Sequence, residues 1–424
     1  MIREILRKQS GFSLIELILT MTVFVIAIAV ASSIFVPMLT QFKQQSKVAE
    51  SQVERLVGLD ILRKDLEQAG YGLPWIIPAG VNYNETIADA GTGWVERDYN
   101  DGPPAGPNTP VRGSGADIEM PGNPNPPGAI RNGNNNALFP GFPLGTLNNS
   151  DVLVIKATSI AINDAAVKWT YVMGYPAGAH EVNMWGSSVE DLNDGDRAIV
   201  MVPMRGVKNQ RQLVADPGAG FNFSLQFNSG GLPNAFVPST DRDVFLIYGV
   251  DPDTNLRMPF NRADYYVERP PGPAPDDMPP RCAQNTGILY KGVVNQTDGN
   301  KTEIRLIECV ADMQLAFALD TVGDGIGDTW SEYVNNLTAA EIRNQLKEVR
   351  VYILAHEGQR DQGYNFNGFS TDPLVTGPCG ATCVMVGEVG IGGEPFDLSI
   401  IPDYQDYRWK VYKVVVKPAN LGAS

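Results

Sequence analysis

The feature that most constrains this chain is an apolar run from Phe12 to Leu39 in which Glu16 is the only charged residue. A helix rises about 1.5 Å per residue, so roughly 20 such residues cross the hydrocarbon of a bilayer. The segment before it carries Arg3, Arg7 and Lys8 against Glu4, and a basic flank holds its side of a span in the cytoplasm. The rest of the chain then lies on the other side. A carboxylate as close to the start of a span as Glu16 is costly in lipid, and such a residue normally has a partner and a role. A secretory signal places small residues after its apolar core, where the peptidase cuts; here the small residue, Gly11, precedes the core. Cleavage after Gly11 removes the basic leader, keeps the helix and leaves an amino terminus at Phe12. The positive charge of that terminus is one that Glu16 of a neighbouring chain can neutralise.

The run Arg7-Lys8-Gln9-Ser10-Gly11-Phe12-Ser13-Leu14-Ile15-Glu16 resembles the prepilin processing site of type IV pilins and pseudopilins. The resemblance implies cleavage between Gly11 and Phe12 by a membrane prepilin peptidase, N-methylation of Phe12, and a register-setting role for Glu16 in filament assembly. Further along, Arg63-Lys64-Asp65-Leu66-Glu67-Gln68-Ala69-Gly70-Tyr71-Gly72 is similar to the helix end of PilW-like minor pilins, where a D-L-x-x-A-G-Y run closes the spine. The order of a C-V-x-D-M strand, an aspartate-glycine turn, a helix with I-R, then V-R-V and a Y-R-x-x-V-Y strand also resembles that branch. The Gly195-Asp196 step and the ending Pro418-Ala419-Asn420-Leu421 match it loosely.

Beyond the apolar run the helix is predicted to continue. Pro37 lacks an N–H and crowds the preceding turn, which predicts a kink rather than an end. From Gln41 the composition turns polar around a stripe of Ala49, Val53, Leu56, Leu59, Leu62, Leu66 and Ala69. Steps of three and four place such residues on one helical face, here expected to pack on a head. Gly70, with Gly72 and Pro74 after it, stops the helix. Asp65 and Glu67 are read as a solvated helix face rather than a catalytic pair.

The chain has 424 residues and a net charge of −15, a balance that argues against a partner tracked by its phosphates. Its 43 Gly and 31 Pro predict turns and long loops rather than a helical bundle. With only two His, a multi-histidine metal centre is hard to build. No nucleophile–base pair or phosphate loop is evident, so no enzyme is read. Four Cys permit two disulfides in an oxidising compartment. Cys282 and Cys309 flank one predicted strand pair, and Cys379 and Cys383 frame a small loop; spacing alone leaves the pairing open.

Strands are predicted over 151–157, 169–172, 197–202, 243–250, 265–267, 287–291, 302–310, 349–355 and 407–416. A helix from Thr338 to Leu346 carries a capping box with Glu341. Three stretches read as insertions: 82–150, rich in Gly, Asn, Pro and Asp; 216–240; and the proline-rich connector 269–281. Asp320, Asp324 and Asp328 sit at the first, fifth and ninth positions of a Gly-containing turn and match half of a calcium loop. Val322 and Ser331 stand where further ligands are needed. No cofactor is required, and calcium is the one the sequence leaves open.

These readings converge on an α+β, pilin-like chain. Its parts are a leader over 1–11, a helix over 12–70 with a membrane and filament-core half over 12–39, and a periplasmic or extracellular β-rich head over 71–424. The resemblance implies a minor pilin that primes assembly or sits at the pilus tip, with adhesion and twitching as the associated activities. Its partners are then prepilin peptidase, the major and other minor pilins, the inner-membrane assembly platform and the bilayer. A type II secretion pseudopilin of the J type and an adhesive or sensory tip module are the alternatives.

Overall fold

The computed structural model describes residues 13–86, 99–101, 126–134, 147–204, 210–270, 277–369, 380 and 382–421. One helix, Leu14–Gln68, runs for 55 residues and continues through position 37 without ending, which makes it about 80 Å long. Its buried face in the C-terminal half is Arg55, Gly58, Leu62, Leu66 and Ala69. The stripe expected from sequence is right only at its end. Leu62, Leu66 and Ala69 are fully buried, whereas Val53 and Leu56 are 63% and 67% exposed. The reason is geometric. Each step of three residues turns the face back by about 60°, so three such steps from Val53 to Leu62 carry it through about 180°. Val53 therefore points away from the head.

Bonds to distant parts of the chain supplement those of the last turn at the helix end. Gly70 adopts φ +82°, and its amide donates to the Lys156 carbonyl at 3.0 Å. The Ala419 amide reaches the Glu67 carbonyl at 3.1 Å, and Asn420 Nδ2 reaches that of Gln68 at 3.4 Å. These bonds satisfy carbonyls that a helix terminus leaves without partners.

The main sheet is antiparallel. Its path runs Ile130–Gly133, Val152–Ala157, Asn261–Glu268, Gly287–Val294, Lys301–Leu319, Leu346–Glu357 and Arg408–Val416, with Thr329–Ser331 pairing beside Lys301–Leu319. Side chains alternate across it, as the two-residue period of a strand requires. Met313, Leu315, Phe317, Val349, Val351 and Ile353 join the helix side of the core. Ala316, Tyr352 and Leu354 face the other way, under the hairpin Cys383–Glu388/Gly392–Asp397 and Trp409. Helix and hairpin thus cover opposite faces of one sheet.

A second sheet is inserted between two neighbouring strands of the first. Residues 158–260 leave after Val152–Ala157 and return at Asn261–Glu268, which pair directly. The inserted path is His180–Val182, Trp169–Gly174, Val244–Asp251, Arg197–Pro203 and Arg211–Leu213, with Ser224–Gln226 also on Arg197–Pro203. One face holds a core of its own, around Val172, Val200, Phe227 and Ile247. The other, through Ile199, Met201 and Tyr248, merges with the main core.

One of the predicted insertions, 216–240, needs correction. The stretch 216–240 contains Ser224–Gln226 and buries Phe223, Leu225, Phe227, Leu232 and Phe236, so it is part of the second core. Within 82–150, Ile130–Gly133 is an edge strand, and Glu85 and Asp101 are buried acids. Asp101 pairs with Arg131 at 2.9 Å and Lys156 at 2.5 Å, and Glu85 with Lys156 at 2.7 Å and Arg262 at 3.0 Å. Arg262 also meets Asp264 at 2.7 Å. Pairing of this kind offsets the cost of burying charge. Among the described residues of 82–150 these acids belong to an internal ion network; 87–98, 102–125 and 135–146 lie outside the described residues. Of the connector 269–281, residues 271–276 lie outside the described residues.

Candidate functional site

The processing pair Gly11 and Phe12 lies outside the described residues. Helix structure begins next to it. Ser13 is extended (φ −68°, ψ 143°) as N-cap, and the Ser13 amide donates to Glu16 Oε2 at 3.0 Å. In the single chain Glu16 therefore satisfies one of the N–H groups that a helix start leaves free, and a negative charge is favoured there by the helix dipole.

The next 22 residues, Leu14–Phe35, have a mean hydropathy of 2.6 and none is buried by the head. Three of the segment's four hydroxyls bond within the helix. Thr20 Oγ1 donates to the carbonyls of Glu16 and Leu17 at 2.9 Å, Thr22 to Ile18 and Ser33 to Val30, both at 2.8 Å. Internal satisfaction of this kind is what a bilayer demands of a spanning segment. Outside this segment Phe42, Val53, Leu56 and Val57 remain exposed, so apolar surface runs down the helix onto the side opposite the head.

How the helix is seated on the head was only partly legible from sequence. Arg55 is 3% exposed; it donates to the His356 carbonyl and, at 2.9 Å, to the Tyr412 hydroxyl. Tyr412 in turn donates to Glu357 at 2.5 Å. Glu54 pairs with Arg281. Asp65, expected on a solvated face, instead meets Lys291 Nζ at 2.5 Å and the Tyr265 hydroxyl. Burial pushes the Asp65 carboxyl up, against the opposing pull of Lys291. Glu67 is exposed.

Between these anchors Gly58 crosses the long strand Lys301–Leu319. A Cβ there would lie 2.5 Å from the Leu306 carbonyl oxygen and 3.0 Å from Ile307 Cγ1. The helix comes this close because the residue is glycine. The available signal was a lone Gly inside a helical pattern, which marks close packing when it is not a cap.

Cys282 and Cys309 form a disulfide. Cys309 has φ +59° and sits where the register of its strand against Gly287–Val294 shifts, so the bond pins a bulge. His356 is buried behind it, with Nε2 accepting the Ala283 amide at 2.9 Å. Cys383 is disulfide-bonded, and Cys379 lies outside the described residues.

In the loop of the calcium candidates the acids bond within their own turns. Asp320 accepts the amides of Gly323, Asp324 and Gly325 at 2.6–3.2 Å and lies 3.3 Å from Lys347 Nζ. Although desolvation opposes it, these donors hold Asp320 below the ordinary carboxylate range. Asp328 accepts the hydroxyls of Thr329 and Thr321, both at 2.7 Å, and Asp324 the Ile326 amide at 2.9 Å. Each acid caps its own turn. Among the described residues no group of three or more His, Cys, Asp or Glu is arranged to hold a metal ion.

With this geometry in view, the comparisons bear on the N-terminal segment alone. Residues 6–32 match the family model described as the prokaryotic N-terminal methylation motif. No curated protein and no solved structure matches the chain. The chain thus carries a prepilin-type amino terminus, as type IV pilin- and pseudopilin-like prepilins do, and its apolar helix fits membrane anchoring.

Proposed function

We propose that this chain is a minor pilin of PilW-like type, cut between Gly11 and Phe12, methylated on Phe12, and built into a type IV pilus as a priming or tip subunit. The observation that carries the reading is the division of one helix. Leu14–Phe35 stands clear of the head with its apolar surface bare, while Arg55 to Ala69 is locked into the head by buried contacts. A bare apolar helix beside a methylation motif needs a bilayer first and other subunits' helices afterwards. A two-sheet head is bulky for a subunit repeated along a thin fibre, which favours a minor position. In this role Glu16 exchanges its bond to the Ser13 amide for the amino terminus of a neighbouring Phe12. The head is held in the periplasm before assembly and at the cell surface after it.

The role is structural rather than catalytic, and a broad hydrolase screen on the full chain tests that part. The main test is a strain lacking the gene, in which sheared surface pili and secreted proteins are measured from one culture. Loss of pili with secretion intact supports the minor pilin reading. Intact pili with blocked secretion moves the chain to the J-type pseudopilins of type II secretion, and persistence of both leaves an adhesive or sensory tip module. Complementation with Glu16→Gln should fail to restore pili; full restoration would remove Glu16 from assembly.

A further inference from the structure

Where the long helix ends, parts of the chain far apart in sequence meet around a cavity of about 190 Å³. Its walls include Gly70, Gly72 and Trp75 after the helix, Arg211 on the edge of the second sheet, Arg343 on the short helix Ala339–Gln345, and Asn420. None of the residues lining it is acidic.

The two arginines are the unusual feature. Arg343 is 4% exposed. Its Nη2 donates to the carbonyls of Pro74 at 2.7 Å and Pro127 at 3.2 Å, and its guanidinium stands 4.8 Å over the Trp75 ring. Asp101 is the acid whose field reaches it, but the oxygens of Asp101 are already bonded to Arg131, Lys156 and the Gly128 amide. Arg211 donates to the Tyr248 hydroxyl at 2.5 Å and lies 5.6 Å over that ring. Among the described residues neither arginine has a carboxylate at ion-pair distance.

Three of the most deeply buried cations of this fold are paired with acids. Arg131, Lys156 and Arg262 each have a carboxylate within 3.0 Å. An unpaired buried charge is costly, and the cost is removed when an anion shares the site. The carbonyls at the helix end do not fill that place, because those of Glu67 and Gln68 accept from Ala419 and Asn420. Burial also pulls the Arg343 guanidinium down to about 10, and a bound anion would reverse that pull.

The geometry points to an oxyanion site: a small ligand bearing a phosphate or carboxylate group, held between the guanidinium groups of Arg211 and Arg343 with Asn420 beside them. Guanidinium forks match both groups. The cavity suits a free phosphate or a single acidic sugar, and it is independent of how the N-terminal helix is used.

The test uses the full-length chain in detergent, titrated separately with sodium phosphate and sodium glucuronate at constant ionic strength, with sodium chloride as reference. At least one of the two should raise the melting temperature saturably, as a ligand selective for the folded state does, and chloride should not. Whichever acts identifies the source. Arg211→Gln should weaken that binding about tenfold or more, read as the anion-induced shift relative to each variant's own anion-free melting temperature. Arg343→Lys keeps the charge and loses the fork, and should weaken it as well. No saturable response to either anion, or an unaltered response in Arg211→Gln, overturns the assignment.

Discussion

Replacing Gly58 with Ala separates two influences that push in opposite directions. Helix propensity alone favours Ala over Gly by about 0.8–1 kcal/mol in a helix interior. Packing opposes it: the new Cβ would sit 2.5 Å from the Leu306 carbonyl oxygen and 3.0 Å from its carbonyl carbon. Carbon–oxygen contacts settle near 3.3 Å or beyond, so helix and strand must separate by about 0.8 Å. Neither is free to move. Glu54 with Arg281 and Arg55 with the His356 carbonyl hold the helix on one side of Gly58, and Asp65 with Lys291 holds it on the other. Overpacking of this kind costs roughly 1–3 kcal/mol, and a backbone neighbour puts it in the upper half of that range. The net expectation is a loss of about 1–2 kcal/mol, read as a melting temperature lower by several degrees in the full chain in detergent. Ser46→Ala, on an exposed turn of the same helix, supplies the propensity effect alone and should give a small rise. If Gly58→Ala raises the melting temperature as Ser46→Ala does, the close crossing is not there.

Three further outcomes follow from the same contacts. Cys282→Ser with Cys309→Ser opens a bridge of sequence separation 27; chain entropy puts the loss near 3.5 kcal/mol, checked by denaturant unfolding against the oxidised parent. Burial, Arg55 and Arg281 depress His356 from 6.5 to about 3, so the unfolded chain takes up a proton that the folded one refuses. Its contribution is complete above about pH 6.5 and is lost as pH falls toward 3, by up to ~2.7 kcal/mol between pH 6.5 and 4.5; His356→Gln should flatten that acid limb, and an unchanged slope refutes the assignment. Asp312 acts with the opposite sign. Burial raises it from 3.8 to about 6, stability from it falls as pH rises across that window, and Asp312→Asn should reduce the fall seen in a pH series of melting temperatures.

What the sequence made legible follows from how local each signal is. The processing motif, the apolar run and the capping box of Thr338 with Glu341, whose bonds measure 2.8–3.1 Å, each depend on residues within a few positions of one another. Strand positions were also readable where β-branched residues cluster. The strand Lys301–Leu319 was expected to stop at Val310, because Ala311 to Leu319 is built from Ala, Asp, Met, Gln and Leu with Phe317 as its one strand-favouring residue. It stays extended because Leu346–Glu357 pairs with it from Val310 to Leu319, a tertiary influence that outweighs the weak local signal. The same holds for Glu85, Asp101 and Asp65, whose partners Lys156, Arg262, Arg131 and Lys291 come from distant strands. Acids amid glycine and asparagine look solvated until those cations are placed beside them.

The mis-assigned stripe shows how one helix can serve two surfaces. Had Val53, Leu56, Leu59 and Leu62 stayed on one face, the head would cover all of them and the helix would leave it with a polar back. Because steps of three rotate that face, Leu62 and Leu66 close the core while Val53, Leu56 and Val57 stay bare on the far side, in line with the apolar surface of Phe42 and the Leu14–Phe35 segment. Those residues contribute little to the isolated fold and belong to whatever packs beside the helix. Leu56→Asp should therefore leave the melting temperature of the purified chain within about 1 °C, since an exposed substitution usually shifts stability by no more than ~0.5 kcal/mol. In cells the same variant should reduce recovery of the chain in sheared pili. A large drop in melting temperature would place Leu56 in the core, and normal recovery in pili would remove this face from the filament contact.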